Sequence, residues 1–384
     1  MSEKKKKVFV GMSGGVDSSV SAALLKEATP NNFSKLFGRP TPEGFSGYEV
    51  VGVFIKVWQA DFLPCTWREE RREAMRAAAH LGIPLITLDL EKEYKDEVVD
   101  YMIREYSMGR VPNPDVMCNK HVKFGAFLEF AKKNGADFIA TGHYARIQSS
   151  HHTLPPKPYS LLMGVDAEKD QSYFLWTLTQ DQLAHTLFPV GHLQKSEVRD
   201  LAKEFGLPNA EKKDSQGLCF MGAVDMADFL KHYLKTEVGN VLDKDGNIIG
   251  THQGAILYTI GQRHGFQTTK QGTHESPLFV TSKNIEKNTI TVGVRNEGQT
   301  AIDVSRIPLK EINNIGITID TTTVEGVECV ARMRYRGDLH DATISLQNGA
   351  FGEVSLSCPN EFIASGQSIV FYQRGECLGG GVIA

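Results

Sequence analysis

The chain has 384 residues, 41% hydrophobic and 23% charged, with a formal net charge of -4. That length exceeds what one core usually serves and predicts two or three soluble globular domains, while the charge balance excludes a globally basic nucleic-acid binder and leaves any RNA contact to local patches. No apolar run is long enough to span a bilayer, and Ser2-Glu3-Lys4-Lys5-Lys6-Lys7 enters the first strand without an apolar or arginine-rich leader, so no membrane association and a cytoplasmic location are expected.

Residues 7–10 read as a short apolar strand. The run Gly11-Met12-Ser13-Gly14-Gly15-Val16-Asp17-Ser18-Ser19 follows it and opens a helix over 16–27, on which Val16, Val20, Ala23 and Leu24 recur at helical spacing. Further strands are expected at 49–57, 85–88 and 137–140, and helices at 68–80, 91–108 and 120–133. The alternation predicts a parallel sheet with crossover helices. Residues 29–47, with Pro, Asn, Gly and Ser, read as a surface insertion, and 149–158 as another loop. Residues 171–187 and 195–205 read as helical, and 225–234 as the helical start of a second module. From about Gly239 short β-rich runs take over, with an Asp245-Gly246 turn between Val241 and Ile248. Residues 302–384 alternate strands and turns, as a small β-barrel or sandwich does. Arg332, Arg334 and Arg336 alternate there and are expected to project from one face of a strand.

A glycine-rich turn between a strand and a helix lets backbone N–H groups converge on an anion at the helix N-terminus. Ser13, Ser18 and Ser19 add hydroxyl donors. Asp17 repels phosphate unless a metal ion lies between them, so the loop reads as a pyrophosphate site with Mg2+ held through Asp17. It lacks the Walker lysine and the GxGxxG spacing of dinucleotide folds. The cysteines, Cys65, Cys118, Cys219, Cys329, Cys358 and Cys377, form no CxxC pair and are too sparse for a disulfide framework. Cys118 ends the two-proline segment Asn113-Pro114-Asp115-Val116-Met117-Cys118, just before a helix expected near Asn119. Its spacing from Asp115 can bring a general base to a thiol favoured by the helix N-terminus; the other reading is a structural loop with a buried cysteine. Cys219 lies in Asp214-Ser215-Gln216-Gly217-Leu218-Cys219, a small and polar setting that suits an accessible thiol. Cys65 reads as a packing residue, and Cys329, Cys358 and Cys377 as small core residues. Arg110, His143 and Tyr144 suit the lining of a pocket for an unstacked base.

SGGVDSS resembles the PP-loop of the ATP pyrophosphatase superfamily. With NPDVMCN, ATGHYAR, KDQSYFL, DSQGLCF, IGQRHG and LGGG in one order over 8–384, the chain resembles the tRNA-specific 2-thiouridylases. The resemblance implies an α/β chain. An N-terminal parallel-sheet domain of the adenine nucleotide α-hydrolase-like (PP-loop) kind would occupy 1–222, a small mixed central domain that contacts tRNA 223–299, and a C-terminal β-barrel 300–384. Gly11, Met12, Ser13, Gly14, Gly15, Val16, Asp17 and Ser18 would then bind ATP, Ile55 would line the adenine pocket and Gly142 would contact the nucleotide. Asn113, Pro114 and Asp115 would hold the target base. Cys219 would carry a persulfide, and Cys118 would be the catalytic thiol that ends the cycle in a disulfide with Cys219. His143, Lys169, Asp170, Gln171, Arg334, Tyr335 and Gln367 would touch the tRNA. The implied activity is ATP-dependent 2-thiolation of the wobble uridine of tRNA. ATP and Mg2+ serve it, with the tRNA anticodon stem-loop and a sulfur-donor or relay protein as partners, and a monomer is the expected state.

The chemistry fits the same residues. Exchanging a carbonyl oxygen for sulfur needs a leaving group, which adenylation supplies, then persulfide-level sulfur, then a second thiol to close a disulfide. Two alternatives stay open. A PP-loop small-molecule ligase or amidotransferase would need neither thiol. Sulfur transfer through an iron–sulfur cluster would hold it on Asp115, Cys118 and Cys219.

Overall fold

The computed structural model describes residues 5–37, 40–149, 159–213, 225–269, 277–294, 305–316, 323–347, 351–357 and 363–384. Cys219, Cys358 and nearly all of the 149–158 loop lie outside them. The first layer is a parallel sheet of β1 (Lys6–Gly11), β2 (Tyr48–Lys56), β3 (Leu85–Asp89), β4 (Phe138–Ala140) and, after a hairpin of β5 (Ala145–Ser149) and β6 (Tyr159–Met163), β7 (Thr186–Leu187). Its order is β3-β2-β1-β4-β7. Winding reverses between β1 and β4, so the turn after β1 lies at the switch point where open parallel sheets take their ligands. Val8, Phe9 and Val10 are all buried because helices cover both faces.

The loop-bearing helix α1 (Val16–Glu27) buries Val16, Ser18, Ser19, Val20, Ser21, Ala22, Ala23, Leu24 and Leu25. Its small residues let it sit in the interior, with α3 (Trp67–Leu81) and α9 (Lys195–Glu204) packed on it. The 29–47 stretch is not wholly a surface insertion. It contains α2 (Phe33–Phe37), whose Phe33 is fully buried, with the rings of Phe37 and Phe45 each 4.7 Å from it. Phe45 packs on Tyr48 at 4.9 Å, so aromatic burial overrides the turn-rich composition.

The two long helices expected next each contain a π-helical stretch. In the first, α4 (Glu91–Tyr94) and α5 (Asp100–Ser107) flank Lys95–Val99; in the second, α6 (Pro114–Met117) and α7 (Phe127–Lys133) flank Cys118–Ala126. The expected helix over 171–187 is broken. A tight 3-10 turn at Ser172–Leu175 precedes α8 (Gln180–Ala184), which a Thr179–Gln182 capping box begins, and β7. Tyr173, Leu175, Trp176 and Leu178 are all buried, which a single helical stripe does not achieve.

After α10 (Met226–Lys231), β8 (Gly239–Leu242), β9 (Ile248–His252), β10 (Phe266–Thr268), β11 (Leu278–Asn284) and β12 (Thr289–Val294) form a sheet of order β10-β9-β8-β12-β11. The β8–β9 hairpin turns through Gly246 at φ 84°, as the Asp-Gly signal predicts. The last domain comprises β13 (Ile307–Asn314), β14 (Thr323–Arg332), β15 (His340–Gln347), β16 (Phe351–Leu356), β17 (Ser368–Gln373) and β18 (Glu376–Ile383). Because β13 pairs with both β16 and β18, these strands close into a six-stranded barrel. The hairpin β5–β6 adds to the outer edge of β18, so the first domain extends the barrel's sheet.

The LGGG motif has a packing reason. A Cβ on Gly380 would lie 2.9 Å from the Trp176 ring, and one on Gly379, at φ 132°, 2.1 Å from the Asn313 carbonyl oxygen. Asn313 Nδ2 in turn donates to the carbonyls of Trp176 (2.7 Å) and Leu178 (3.0 Å). The arginine stripe does not form. Arg332 ends β14 and is buried, while Arg334 and Arg336 lie in the following turn, Arg336 at φ 59°. Replacing Phe33 with Ala is expected to cost about 3–5 kcal/mol, as for other buried aromatics, read as a lowered urea midpoint; a surface loop would give no change.

Candidate active site

The glycine loop is built on two close approaches. Gly14 has φ 76°, and a Cβ there would sit 2.4 Å from the Glu70 carbonyl oxygen in α3. Gly142 follows β4, and its Cβ would sit 2.8 Å from the Ser18 nitrogen and 2.9 Å from the Asp17 carbonyl carbon. Residues 141–143 therefore rest directly on the first turn of α1. Inside the loop the hydroxyls are already engaged: Ser18 Oγ donates to the Gly15 carbonyl at 3.1 Å and accepts from the Ser13 N–H at 3.3 Å, and Ser19 Oγ donates to Gly15 at 3.0 Å. Met12 and Val16 are buried, so they contribute backbone and packing rather than side-chain contacts to any ligand. Ile55 lies in β2, the strand beside β1, at 6% exposure.

Asp17 is held from two sides. The Lys195 ammonium, at the start of α9, lies 2.6 Å from its Oδ1, and the Tyr144 hydroxyl donates to the same oxygen at 2.8 Å. Lys195 also stands 5.7 Å over the Tyr144 ring. Beyond α9, Asn209 Nδ2 donates to the Gly14 carbonyl (3.1 Å) and Ser19 Oγ (3.0 Å), and Lys212 Nζ donates to the same Gly14 carbonyl at 3.1 Å. Burial raises the Glu70 carboxyl above its ordinary range, opposed by the charge of Lys212.

These residues fit a Mg2+-bound triphosphate. The two glycines let α3 and residues 141–143 pack directly against the loop and the first turn of α1, and the site supplies one carboxylate, Asp17. Mg2+ is commonly held by one or two carboxylates with the remaining positions on phosphates and water. Among the described residues no cluster of three or more His, Cys, Asp or Glu could hold a metal alone, so the phosphates would have to complete the shell.

The second element is the helix that carries Asp115 and Cys118. Asn113 caps it, its Oδ1 accepting from the Val116 N–H at 3.2 Å, and Pro114 takes the first helical position. The helix thus begins earlier than expected, and Cys118 sits at the end of its first turn with its N–H bonded within the helix. The thiol is fully buried. Nine residues on, Phe127 lies 3.6 Å from where a Gly11 side chain would begin, and Phe124 packs 5.7 Å from the His143 ring. One helix therefore links the cysteine to the phosphate loop. His143 is buried, Nδ1 against Thr141 Oγ1 at 2.7 Å, and burial holds its imidazole well below the usual range, reinforced by Lys123.

The residues that the family resemblance assigns to tRNA are placed differently from one another. Arg334 is exposed and Tyr335 half-buried, its ring 4.6 Å from Phe174. Gln171 is tied to Tyr144 in both directions, at 3.0 Å and 2.9 Å. Asp170 is 2% exposed and accepts from Gly164 N, Ser172 N, Ser172 Oγ and Arg332 Nη1 at 3.0–3.1 Å. It faces the interior and fixes its neighbours, so its carboxylate offers no exposed edge for the direct RNA contact that the resemblance implies. Val111 N donates to Ser365 O at 2.8 Å, which sets the loop before Asn113 against the stretch that carries Gln367. Arg110 is committed to Glu105 through two bonds of 2.6 and 2.7 Å and holds that carboxyl below its ordinary range, rather than lining an open pocket. Cys65 is exposed, not packed; Cys377 is buried and its thiol is pushed up to about 12.

Sequence reading missed Lys195, Asn209 and Lys212 and placed Tyr144 at the base. Lys195 meets Asp17 across 178 residues, a separation that no local pattern encodes. Three family descriptions match in series: the tRNA methyl transferase HUP domain over residues 6–37 and 44–223, the tRNA methyl transferase PRC-barrel domain over 227–294, and the aminomethyltransferase beta-barrel domain over 304–383. Curated relatives named tRNA-specific 2-thiouridylase MnmA are 41% identical in Enterococcus faecalis, over 99% of this chain and 95% of that protein, and 42% identical in Streptococcus uberis, over 100% and 96%. The chain belongs to the tRNA-specific 2-thiouridylase family. A third member, from Listeria monocytogenes, is 41% identical over 98% of this chain and 94% of its own length. Membership places the chain among the tRNA sulfurtransferases, nucleotide-binding enzymes of the PP-loop type. Among the described residues no helix is long and apolar enough to cross a membrane.

Two outcomes follow from the packing of 141–143. Gly142→Ala is expected to push the loop off α1 and cost about 1–3 kcal/mol, measured from the denaturant midpoint. His143 stays neutral when folded, whereas the unfolded chain protonates it near 6.5. Stability contributed by this site is therefore present above that pH and lost as pH falls below it, with a slope of up to about 1.4 kcal/mol per pH unit. His143→Gln should flatten that acid limb; an unchanged slope would show that His143 protonates freely in the folded chain.

Proposed function

We propose that the chain is an ATP-dependent tRNA 2-thiouridylase acting on the wobble uridine, with catalytic, central and barrel domains at 1–222, 223–299 and 300–384. The observation that carries this reading is the single helix that connects the buried Cys118 to the phosphate loop through Phe127 at Gly11. The loop from Gly11 to Ser18, with Gly142 behind it and Ile55 beside it, takes ATP; Asp17 would hold Mg2+, which would offset phosphate charge. Asn113, Pro114 and Asp115 hold the uridine, and His143, Lys169, Gln171, Arg334, Tyr335 and Gln367 position the tRNA.

Adenylation of the uridine C2 oxygen releases pyrophosphate and makes that oxygen part of an AMP leaving group. The terminal sulfur of a Cys219 persulfide, loaded by a donor protein, attacks C2 and AMP departs. The Cys118 thiolate then attacks Cys219 Sγ, which breaks the S–S bond, leaves the C2 thiocarbonyl and forms a Cys118–Cys219 disulfide. An external reductant resets the pair. Since Cys118 is fully buried, the surrounding core must open when the substrate docks.

Purified protein given ATP, Mg2+, tRNA, a persulfide-loaded donor protein as the sulfur source and a reductant to reset the cysteine pair should form 2-thiouridine, detected by nucleoside mass analysis. Cys118→Ser and Cys219→Ser should each abolish it while ATP binding survives. Normal product from either variant would eliminate the two-thiol route. An iron-free preparation with full activity would eliminate the cluster route.

A further inference from the structure

We infer that Tyr173 is a positioning residue for the target base: its hydroxyl ties the Asn113 side chain to the barrel residues that seat the tRNA. This rests on the proposed 2-thiolation and deepens it. Tyr173 is 2% exposed and stands where the catalytic domain meets the barrel. Its hydroxyl donates to the carbonyls of Ser368 (2.9 Å) and Met333 (3.2 Å), the residues that directly follow Gln367 and precede Arg334. Burial pushes the phenol well above its ordinary range, so the hydroxyl keeps its proton and its donor role. The Asn113 side chain bonds to the same hydroxyl and opposes that shift, as a donor does. Because Asn113 Oδ1 already accepts from the Val116 N–H, its amide nitrogen makes this bond.

The next residue repeats the link. The Phe174 carbonyl accepts from Asn119 Nδ2 at 3.2 Å, and the Phe174 ring packs 4.6 Å from Tyr335. Asn113 and Asn119 bracket Asp115 and Cys118. The tight turn at Ser172–Leu175 thus grips both ends of that segment and leans on the barrel turn that carries Arg334 and Tyr335. Gly366 closes the same junction, since a Cβ there, at φ 92°, would lie 2.9 Å from the Val111 nitrogen. A tyrosine suits the joint: its ring fills the interior as phenylalanine would, and one oxygen makes the bonds. Without that oxygen the Asn113 amide keeps its capping bond and loses its second anchor. Reaction rates fall steeply when a group that holds the reactant is misplaced.

The test is 2-thiouridine formation by the full chain with ATP, Mg2+, tRNA and a persulfide-loaded donor protein, assayed well below the melting temperature of each variant. It compares Tyr173→Phe, Asn113→Ser and the double variant. Asn113→Ser keeps a side-chain oxygen for the helix cap and removes the amide. Tyr173→Phe should lower kcat about tenfold, with KM for tRNA and the affinity for ATP within about twofold of the unmodified chain. The double variant should be no slower than Asn113→Ser alone, because the hydroxyl has then lost the group through which it acts. Unchanged kcat in Tyr173→Phe, a raised KM for tRNA at unchanged kcat, or losses that multiply in the double variant would each overturn the inference and leave 2-thiolation intact. Absence of 2-thiouridine from the unmodified chain would overturn the underlying reading and the inference with it.

Discussion

A negative side chain at the mouth of an anion-binding loop is the constraint on which the catalytic domain is organised. Asp17 occupies the first turn of α1, where a helix N-terminus favours a carboxylate, yet in the proposed reading the same turn accepts phosphate. The fold resolves this by bringing two ammonium groups and an amide from far along the chain. Lys195 closes on Asp17 itself, while Lys212 and Asn209 close on the Gly14 carbonyl. The segment after β7 thus completes a site whose beginning lies near the N-terminus.

A second constraint joins the catalytic domain to the barrel. Asp170 and Arg332 form an ion pair with side-chain exposures of 0% and 9%, so breaking either side would leave a buried charge. Tyr173 adds hydrogen bonds to the Met333 and Ser368 carbonyls at 3.2 and 2.9 Å. Around them Gly380 of β18 admits Trp176, and β5–β6 continues the barrel sheet. These contacts fix where the turn carrying Arg334 and Tyr335 stands relative to residues 169–171. The catalytic and barrel parts therefore present one continuous surface rather than two loosely linked ones.

Much of the fold was legible locally. The strand–glycine–helix start at residues 6–27, the alternation of the parallel sheet, the Asp-Gly hairpin at 245–246 and the strand-rich end all follow from period and turn chemistry. The misreadings share a cause. The helix over 171–187 is overridden because Tyr173, Leu175, Trp176 and Leu178 must be buried against more than one neighbour. The supposed insertion hides Phe33 because aromatic rings from residues 33, 37, 45 and 48 find one another. The arginine stripe fails because Arg332 is drawn inward by Asp170.

By itself the sequence determined the phosphate loop, since glycine is demanded where backbone φ is positive or where another chain passes too close for a Cβ. The capped start of the Asp115 helix is equally local, since Asn113 and Pro114 act on their immediate neighbours, although apolar spacing alone puts that start near Asn119. Only the tertiary structure decided what surrounds Asp17, that Asp170 faces inward, and that Tyr144 serves the phosphate loop rather than the base. Those outcomes depend on charges and hydrogen bonds made across more than a hundred residues, and such pairings are selected by which surfaces the whole chain buries, not by any spacing along it.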